Sequence, residues 1–330
     1  MPSVSICIPT YNGAVYLAEC IESALAQSFA DIEILLVDDS STDDSLAIAH
    51  NYALRDKRIR VFQNDVNLGL VANWNRSVTL AEGDWIKFLH QDDRLEPNCV
   101  ERMLDAAQPN VDLIATRRRL MFASDVSEET KRWYDRYLSE HDPARLFRAQ
   151  AYVSPEEFTR VLLLEAQGNC LGEPTAIMLR RSAFDSYGYF NPDLVSLCDW
   201  EYWARIAVNT GLSYVDEPLA YFRVHSTSES ARMRATGRFR LRLDPLIILY
   251  EMTYSPYYVR LRAIAGNQNP PVNLRQRLSD EVGATHWEAA AQNDGGKALA
   301  QWWQAMRRRP RLLAFSPRHI LRVLRKKIGL

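Results

Sequence analysis

Two adjacent carboxylates, Asp92 and Asp93, follow a short apolar run at residues 85–89. A run of this length is typical of a buried strand, and ligands of open α/β sheets bind at the carboxyl ends of the strands. Adjacent acids at such an end repel each other unless a cation or hydrogen-bond donors hold them. The pair therefore indicates a divalent metal site; the alternative is a polar turn before a helix.

A second acid pair, Asp38 and Asp39, follows the strand-like run 32–37. A carboxylate at this place can accept hydrogen bonds from a ribose or a base, and the alternative is an Asx turn at a helix start. A nucleoside diphosphate brings its own negative charge to Asp92 and Asp93, so a cation between them is required. Mg²⁺ or Mn²⁺, held by one or two carboxylates and the phosphates, is the expected form.

A third acid, Asp199, lies between Cys198 and Trp200. Apolar surroundings raise the pKa of a carboxylate, which makes it a better general base near neutral pH. The alternative is an N-cap for the helix that the following residues predict.

The elements that position these acids alternate along the chain. Strand-like runs at 4–8, 32–37, 59–62 and 85–89 are separated by segments of helical spacing. This alternation predicts an α/β fold with a doubly wound, mostly parallel sheet. No Gly-x-Gly-x-x-Gly or Walker phosphate loop follows the first strand, which disfavours a dinucleotide dehydrogenase or a P-loop enzyme.

Further strands are predicted at 112–115, 175–179 and 219–224, while residues 124–150 give no clear pattern. From about residue 235 the chain becomes helical, Arg-rich and aromatic. The net charge of the whole chain is −1, and residues 297–330 contain ten Lys or Arg and no acid, so residues 1–296 carry −11. An acidic body without a recognition motif disfavours nucleic acid as a partner.

The basic tail predicts a membrane-surface helix. Apolar residues share one face and basic residues the other, as in interfacial amphipathic helices: Ile320, Leu321, Leu324 and Ile328 against Arg318, Arg322, Arg325 and Lys326. An anionic membrane surface bound through residues 307–330 is therefore expected, and packing on the body is the alternative. Five scattered cysteines and the lack of a signal peptide or membrane span predict a cytoplasmic protein, peripheral on the inner face of the membrane.

An ordered set of motifs resembles the family 2 glycosyltransferases of the GT-A fold. It comprises residues 4–12, 36–43, 67–69, 73–75, 82–84, 88–93, 180–182, 188–190, 198–201 and 223–225. The resemblance covers residues 3–230 and implies a GT-A catalytic domain at 1–235. Its nucleotide-binding half would be about 1–110 and its acceptor-binding half 111–235, followed by a helical, basic region at 236–330.

The resemblance also implies roles for individual residues. Nucleoside contacts fall to Pro9, Thr10, Tyr11 and Asp39, with Asp38 as a weaker candidate. Asp92 and Asp93 match the DXD-type pair that holds the metal and the diphosphate. Asp199 matches the general base, and His225 matches a residue that completes the metal or phosphate site in some members. The chain departs from the common pattern at His90, where many members have Asp; Glu173 is a further candidate for donor or acceptor contacts.

The implied function is a metal-dependent, inverting transfer of a sugar from a nucleotide-diphosphate sugar, a UDP-sugar, to a hydroxyl acceptor. The expected acceptor is a saccharide or a lipid-linked saccharide in cell-surface polysaccharide or glycolipid synthesis. The alternatives are an inactive sugar-nucleotide-binding or scaffold protein and, less favoured, a sugar-phosphate nucleotidyltransferase.

Overall fold

The first 90 residues alternate strands and helices, as the sequence predicted. The strands are mostly apolar where they cross the core, and the helices bury one face against them. In the computed structural model these elements are β1 (Val4–Thr10), α1 (Ala14–Leu25), β2 (Ile32–Asp38), α2 (Ser45–Ala53), β3 (Ile59–Gln63), α3 (Leu70–Leu80) and β4 (Trp85–Phe88). The structure describes residues 1–164, 168–229, 231–232, 239–292 and 295–314.

The next part of the chain adds short strands, helices and two long strands. These elements are β5 (Arg94–Leu95), α4 (Cys99–Asp105), β6 (Leu113–Phe122), α5 (Glu128–Glu140), α6 (Pro143–Leu146), β7 (Tyr152–Val153), α7 (Pro155–Leu164), β8 (Ile177–Arg180), α8 (Ser182–Tyr187), α9 (Cys198–Thr210) and β9 (Leu212–Val224). Strands β6 and β9 are longer than predicted, because charged residues interrupt the apolar run in the second half of β6 (Arg117 to Arg119) and in the first half of β9 (Asp216 and Glu217). Helix α5 forms in the stretch that gave no pattern.

The strands described by the structure form one nine-stranded sheet with the order β3-β2-β1-β4-β8-β6-β9-β5, and β7 pairs with β9. Strands β1 to β4, β6 and β9 run in one direction. Strands β5, β7 and β8 oppose their neighbours. The predicted mostly parallel α/β sheet is confirmed, and β8 is the strand that joins its two parallel parts.

Among the residues that the structure describes after β9, the longer helices are α10 (Asp244–Tyr254), α11 (Val259–Gly266), α12 (Leu274–Ala291) and α13 (Gly295–Arg307). The predicted helical C-terminal region is thus confirmed. By its internal contacts the chain divides into two compact units, residues 1–191 with 202–226 and residues 192–201 with 227–330. The sequence predicted one boundary near residue 235; the segment 192–201, which carries Asp199, belongs to the second unit.

The basic tail is described only in its first part. Arg308 and Arg309, just after α13, both pair with Asp193 within the second unit, and the side chain of Arg309 is only 5% exposed. The predicted amphipathic face at 318–328 lies outside the described residues. Within the described ranges, no helix combines the length and the apolar character needed to cross a membrane.

Candidate active site

Strand β4 ends in a tight turn that carries His90, Asp92 and Asp93. The backbone N–H of Asp93 closes the turn by donating to the His90 carbonyl oxygen over 3.0 Å. One ligand atom from each of these three side chains lies within 4.8 Å of the other two. The turn therefore places two carboxylates and one imidazole where they can converge on a single cation.

Asp93 is buried, and partners occupy both of its oxygens. Oδ2 accepts a hydrogen bond from the Thr175 hydroxyl at 2.5 Å, and Oδ1 accepts the Arg223 backbone N–H at 2.8 Å. Burial and, next, the Asp92 charge raise the pKa of Asp93 well above its usual value. Positive charge beside this carboxylate would favour its ionised form.

Asp92 is held from the side of β9. Its Oδ2 lies 3.0 Å from Nε2 of His225, and its carbonyl oxygen accepts the Nε–H of Arg223 at 2.8 Å. The ring of Tyr16 lies 5.0 Å from the His225 ring and 4.5 Å from the Arg223 guanidinium. The structure thus brings His225 to Asp92, 133 positions earlier in the chain.

His90 presents an imidazole nitrogen with no hydrogen-bond partner. Its Nε2 atom is buried and unpaired among the described residues, and its ring packs 5.0 Å from the ring of Trp74. Burial lowers the pKa of His90 to about 4, so the ring is neutral at physiological pH. A neutral, unpaired imidazole nitrogen beside two carboxylates is a donor set that fits a divalent cation.

Asp39 closes the turn before α3. Its two carboxylate oxygens accept the backbone N–H groups of Leu68 at 2.8 Å and Gly69 at 2.9 Å, and one also accepts the Asn64 amide at 2.6 Å. Gly69 adopts φ +86°, a conformation that favours glycine. The charge of Asp39 is thus used to fix the loop at residues 64–69.

Asp38, the neighbour of Asp39, has the less occupied carboxylate. Its Oδ2 accepts the Ser41 N–H at 3.0 Å, whereas Oδ1 is buried and has no hydrogen-bond partner in the described chain. Thr10 pairs with Asp38 in the register of β1 and β2. A buried, unsatisfied acceptor is costly unless something else donates to it, so Asp38 is the better placed of the two acids to receive a ligand.

Pro9, Thr10 and Tyr11 lie at the carboxyl end of β1. Pro9 and Thr10 are buried, while Tyr11 is 40% exposed. The side-chain amide of Gln91 accepts the Tyr11 N–H at 2.8 Å and donates to the Tyr11 carbonyl at 3.1 Å. This pair of hydrogen bonds joins the end of β1 to the turn that carries Asp92 and Asp93.

Asp199 lies in the second unit, in the first turn of α9, where the helix dipole favours an ionised carboxylate. One of its oxygens accepts the backbone N–H of Trp200 at 2.6 Å. The segment just before it is held by the buried carboxylate of Asp244, which accepts the backbone N–H groups of residues 195, 196 and 197. Tyr258 fixes the same turn by donating to the Glu201 carbonyl at 3.0 Å.

Glu173 forms an ion pair with Arg118 of β6, whose side chain is 5% exposed. Gly172 beside it adopts φ +109°, and a Cβ atom there would lie 2.8 Å from the Arg118 guanidinium. Glu173 therefore anchors the loop that leads into Thr175, the partner of Asp93.

The family model described as "Glycosyl transferase family 2" matches residues 5–188, more than half of the chain. The chain belongs to this family. A Bacillus subtilis relative, the "Putative glycosyltransferase EpsH", is 31% identical over 69% of this chain and 62% of its own length. A Mycobacterium tuberculosis relative, the "Uncharacterized protein MT1568", is 32% identical over 72% of each chain.

Solved structures show the same fold. Staphylococcus aureus TarS 1–349 in complex with UDP-GlcNAc superposes with a TM-score of 0.60 at 16% identity, covering 92% of this chain and 89% of that one. The Pyrobaculum calidifontis mannosyltransferase PcManGT, in complex with GDP-Man and Mn²⁺, superposes with a TM-score of 0.55 at 16% identity, over 99% of this chain and 87% of that one. The predicted GT-A fold and glycosyltransferase activity are confirmed.

Sequence reasoning missed two residues of this glycosyltransferase that support Asp93. The ammonium of Lys87, on β4, is fully buried and donates to the carbonyl oxygens of Thr175 and Ile177; burial lowers its pKa. Thr175 itself donates to Asp93 and accepts the backbone N–H of His90. The position of Lys87 inside the apolar run 85–89 was a sequence signal for its role, whereas no sequence signal marked Thr175.

Proposed function

We propose that this chain is a metal-dependent, inverting glycosyltransferase that moves a sugar from a UDP-sugar to a hydroxyl acceptor. The observation that carries the proposal is the convergence of His90, Asp92 and Asp93 at the end of β4 in a family 2 glycosyltransferase. Structural neighbours in complex with UDP-GlcNAc and with GDP-Man and Mn²⁺ support a nucleotide-sugar donor and a divalent metal.

The nucleoside would bind across the carboxyl ends of β1 and β2. One side of this proposed nucleoside site would be formed by Pro9, Thr10 and Tyr11. The unsatisfied Oδ1 atom of Asp38 offers an acceptor for a hydrogen-bond donor of the base or ribose. Asp39 acts in our proposal by fixing the loop at residues 67–69. The nucleotide-binding half is therefore assigned to about 1–110 and the acceptor-binding half to 111–235.

Mn²⁺ or Mg²⁺ would be held by Asp92 and Asp93, with His90 as a nitrogen ligand. Such a metal supplies electrostatic stabilisation of the charge that develops on a departing diphosphate. His225 lies against Oδ2 of Asp92, from where it can orient that carboxylate or contact a phosphate. Thr175 and the Arg223 backbone hold Asp93 in one orientation.

Asp199 is assigned as the general base. Its carboxylate takes the proton of the acceptor hydroxyl as that oxygen attacks the anomeric carbon, a contribution typically of ~10²–10⁴ in rate. Asp199 lies in the first turn of α9, where the helix dipole favours the ionised form that a base requires. A single displacement of this kind inverts the configuration at the anomeric carbon.

The acceptor is proposed to be a saccharide or lipid-linked saccharide of a cell-surface polysaccharide or glycolipid. The basic sequence at 315–330, outside the described residues, would attach the enzyme to an anionic membrane surface on its cytoplasmic side. The arginines at 308 and 309 are already paired with Asp193, so they contribute less to such binding.

Calorimetry tests the donor site directly. UDP should bind the purified protein in the presence of Mn²⁺ and lose most of its affinity in EDTA, in Asp92→Asn and in Asp93→Asn. Asp185→Asn, which alters an exposed acid on α8, is the matched control and should bind as the wild type does. Equal affinity in all four proteins, with and without EDTA, would remove the site. Asp199→Asn should bind UDP normally and lose transfer.

A further inference from the structure

Helix α5 carries a stack of three aromatic rings that the proposed chemistry does not use. Trp133, Tyr137 and His141 follow one another at a spacing of four residues, which places them on one face of the helix. The rings of Trp133 and Tyr137 lie 5.2 Å apart at an angle of 12°, and those of Tyr137 and His141 lie 4.2 Å apart at 24°. These side chains form a continuous column along the helix.

The column ends in an exposed indole. Trp133 is 46% exposed although the rings of Tyr137 and Tyr134 contact it. Stacking on Tyr137 holds the indole in one orientation, so a ligand that covers it would pay little ordering entropy. One turn before Trp133 on the same face lies Glu129, which is exposed and offers carboxylate oxygens as hydrogen-bond acceptors.

Helix α5 is tied to both carboxylates of the proposed metal site. Before its N-terminus, Asp125 accepts the Ser226 backbone N–H at 3.1 Å, and the preceding residue, His225, contacts Asp92. In the last turn of the helix, the Tyr137 hydroxyl donates to the Asn169 carbonyl at 3.3 Å. Asn169 lies six residues before Thr175, the partner of Asp93.

Hydrogen bonds within residues 169–172 hold this segment together. The Asn169 side-chain amide donates to the Gly172 carbonyl at 2.9 Å and accepts the Gly172 N–H at 2.9 Å. The Trp203 indole N–H donates to the same carbonyl at 3.1 Å. Tyr134, which is 5% exposed, packs between the column and the sheet, with its ring 6.3 Å from those of Phe122 and Phe222.

We propose that the exposed face of Trp133, flanked by Glu129, is a binding platform for a pyranose unit of the acceptor saccharide. The face of an aromatic ring carries negative potential and attracts polarised C–H groups, which gluco- and galacto-configured pyranoses present on one face. Their hydroxyl groups lie at the ring edge, where the Glu129 carboxylate can accept from them. This inference rests on the proposed transferase function, because the platform would bind the acceptor of that reaction.

Saccharide titration of single variants provides the test. The probes are β-linked gluco- and galacto-oligosaccharides, and their binding to the full chain is measured by calorimetry. The variants are Trp133→Ala and Trp133→Phe. Trp287→Ala is the matched control because Trp287 is 43% exposed in the second unit. Saccharide affinity should fall roughly tenfold in Trp133→Ala, because the variant loses the free energy of about one ring-stacking contact. It should fall less in Trp133→Phe and remain unchanged in the control.

Failure of the saccharide platform can be distinguished from failure of the proposed transferase function. Mn²⁺-dependent UDP binding should be the same in Trp133→Ala and in wild type; if wild type itself fails to bind UDP, the transferase proposal fails instead. Two results overturn the platform if UDP binding is intact. One is that the wild type binds no saccharide, and the other is that wild type and Trp133→Ala bind saccharide with equal affinity. A change in oligomeric state of Trp133→Ala by sedimentation would assign the face to a second copy of the chain and also overturn it.

Discussion

The carboxylate of Asp244 should control both the stability of the second unit and the rate of transfer. It is fully buried on α10 and accepts the backbone N–H groups of Ser196 at 2.7 Å and Leu197 at 3.0 Å, together with that of Val195 at 3.1 Å. Asp199 follows two residues later. Asp244→Asn keeps the size of the side chain but replaces one acceptor oxygen with an NH₂ group, which faces backbone donors.

The magnitude follows from those bonds. Hydrogen bonds to a charged group contribute about 1.5–3 kcal/mol each, and three of them would give at most ~5–9 kcal/mol. Burial raises the pKa of Asp244, so desolvation of the carboxylate offsets part of this gain. A net loss of about 3 kcal/mol in Asp244→Asn is therefore expected. A shift of Asp199 by about 1 Å would lower kcat by roughly 100-fold.

Thermal unfolding and steady-state kinetics on the same preparations measure both effects. The unfolding midpoint should fall by roughly 6–12 °C, and kcat should fall while Mn²⁺-dependent UDP affinity stays unchanged. Glu288→Gln is the control: it removes a half-exposed carboxylate that pairs with Arg242 within the same unit, and it should cost about 0–1 kcal/mol. An Asp244→Asn enzyme with wild-type kcat and midpoint would refute the reasoning.

Three further outcomes are expected. Lys87→Met should lower the free energy of unfolding by about 2–4 kcal/mol in urea titrations, because two buried carbonyl oxygens lose their donor; an unchanged midpoint would contradict this role. Asp39→Asn should weaken UDP binding about tenfold in calorimetry by loosening the loop at 67–69, and wild-type affinity would count against it. Truncation after residue 314 should reduce sedimentation with anionic liposomes in a salt-dependent way; equal sedimentation would remove the tail as the membrane contact.

The strands at the start of the chain were predictable because they are buried on both faces. Apolar residues dominate both β1 and β2, with Ser5 and Glu33 as the polar exceptions inside them, and the structural bounds lie within two residues of the predicted ones. Strands β6 and β9 were predicted too short. The part of β6 that was missed is its second half, where Arg117 to Arg119 interrupt the apolar run. The part of β9 that was missed is its first half, where Asp216 and Glu217 do the same.

The acids of the site were visible in sequence, but their partners were not. Asp39, Asp92 and Asp93 stand at strand ends, which the alternation of elements locates. The hydrogen bond from Thr175 to Asp93 joins residues 82 positions apart, and a sequence pattern carries no record of such a contact. The occupied oxygens of Asp39 and the unsatisfied oxygen of Asp38 likewise depend on how the loop at 64–69 closes, which spacing does not determine.

The buried ammonium of Lys87 has a consequence for how the chain is assembled during synthesis. Its carbonyl partners belong to residues 175 and 177, which leave the ribosome long after the four parallel strands of the first 90 residues. Until β8 inserts beside β4, that cation has no acceptors in the sheet and must stay hydrated. We expect the isolated fragment 1–110 to remain molten, and adding a separately expressed fragment 111–330 to restore a cooperative transition.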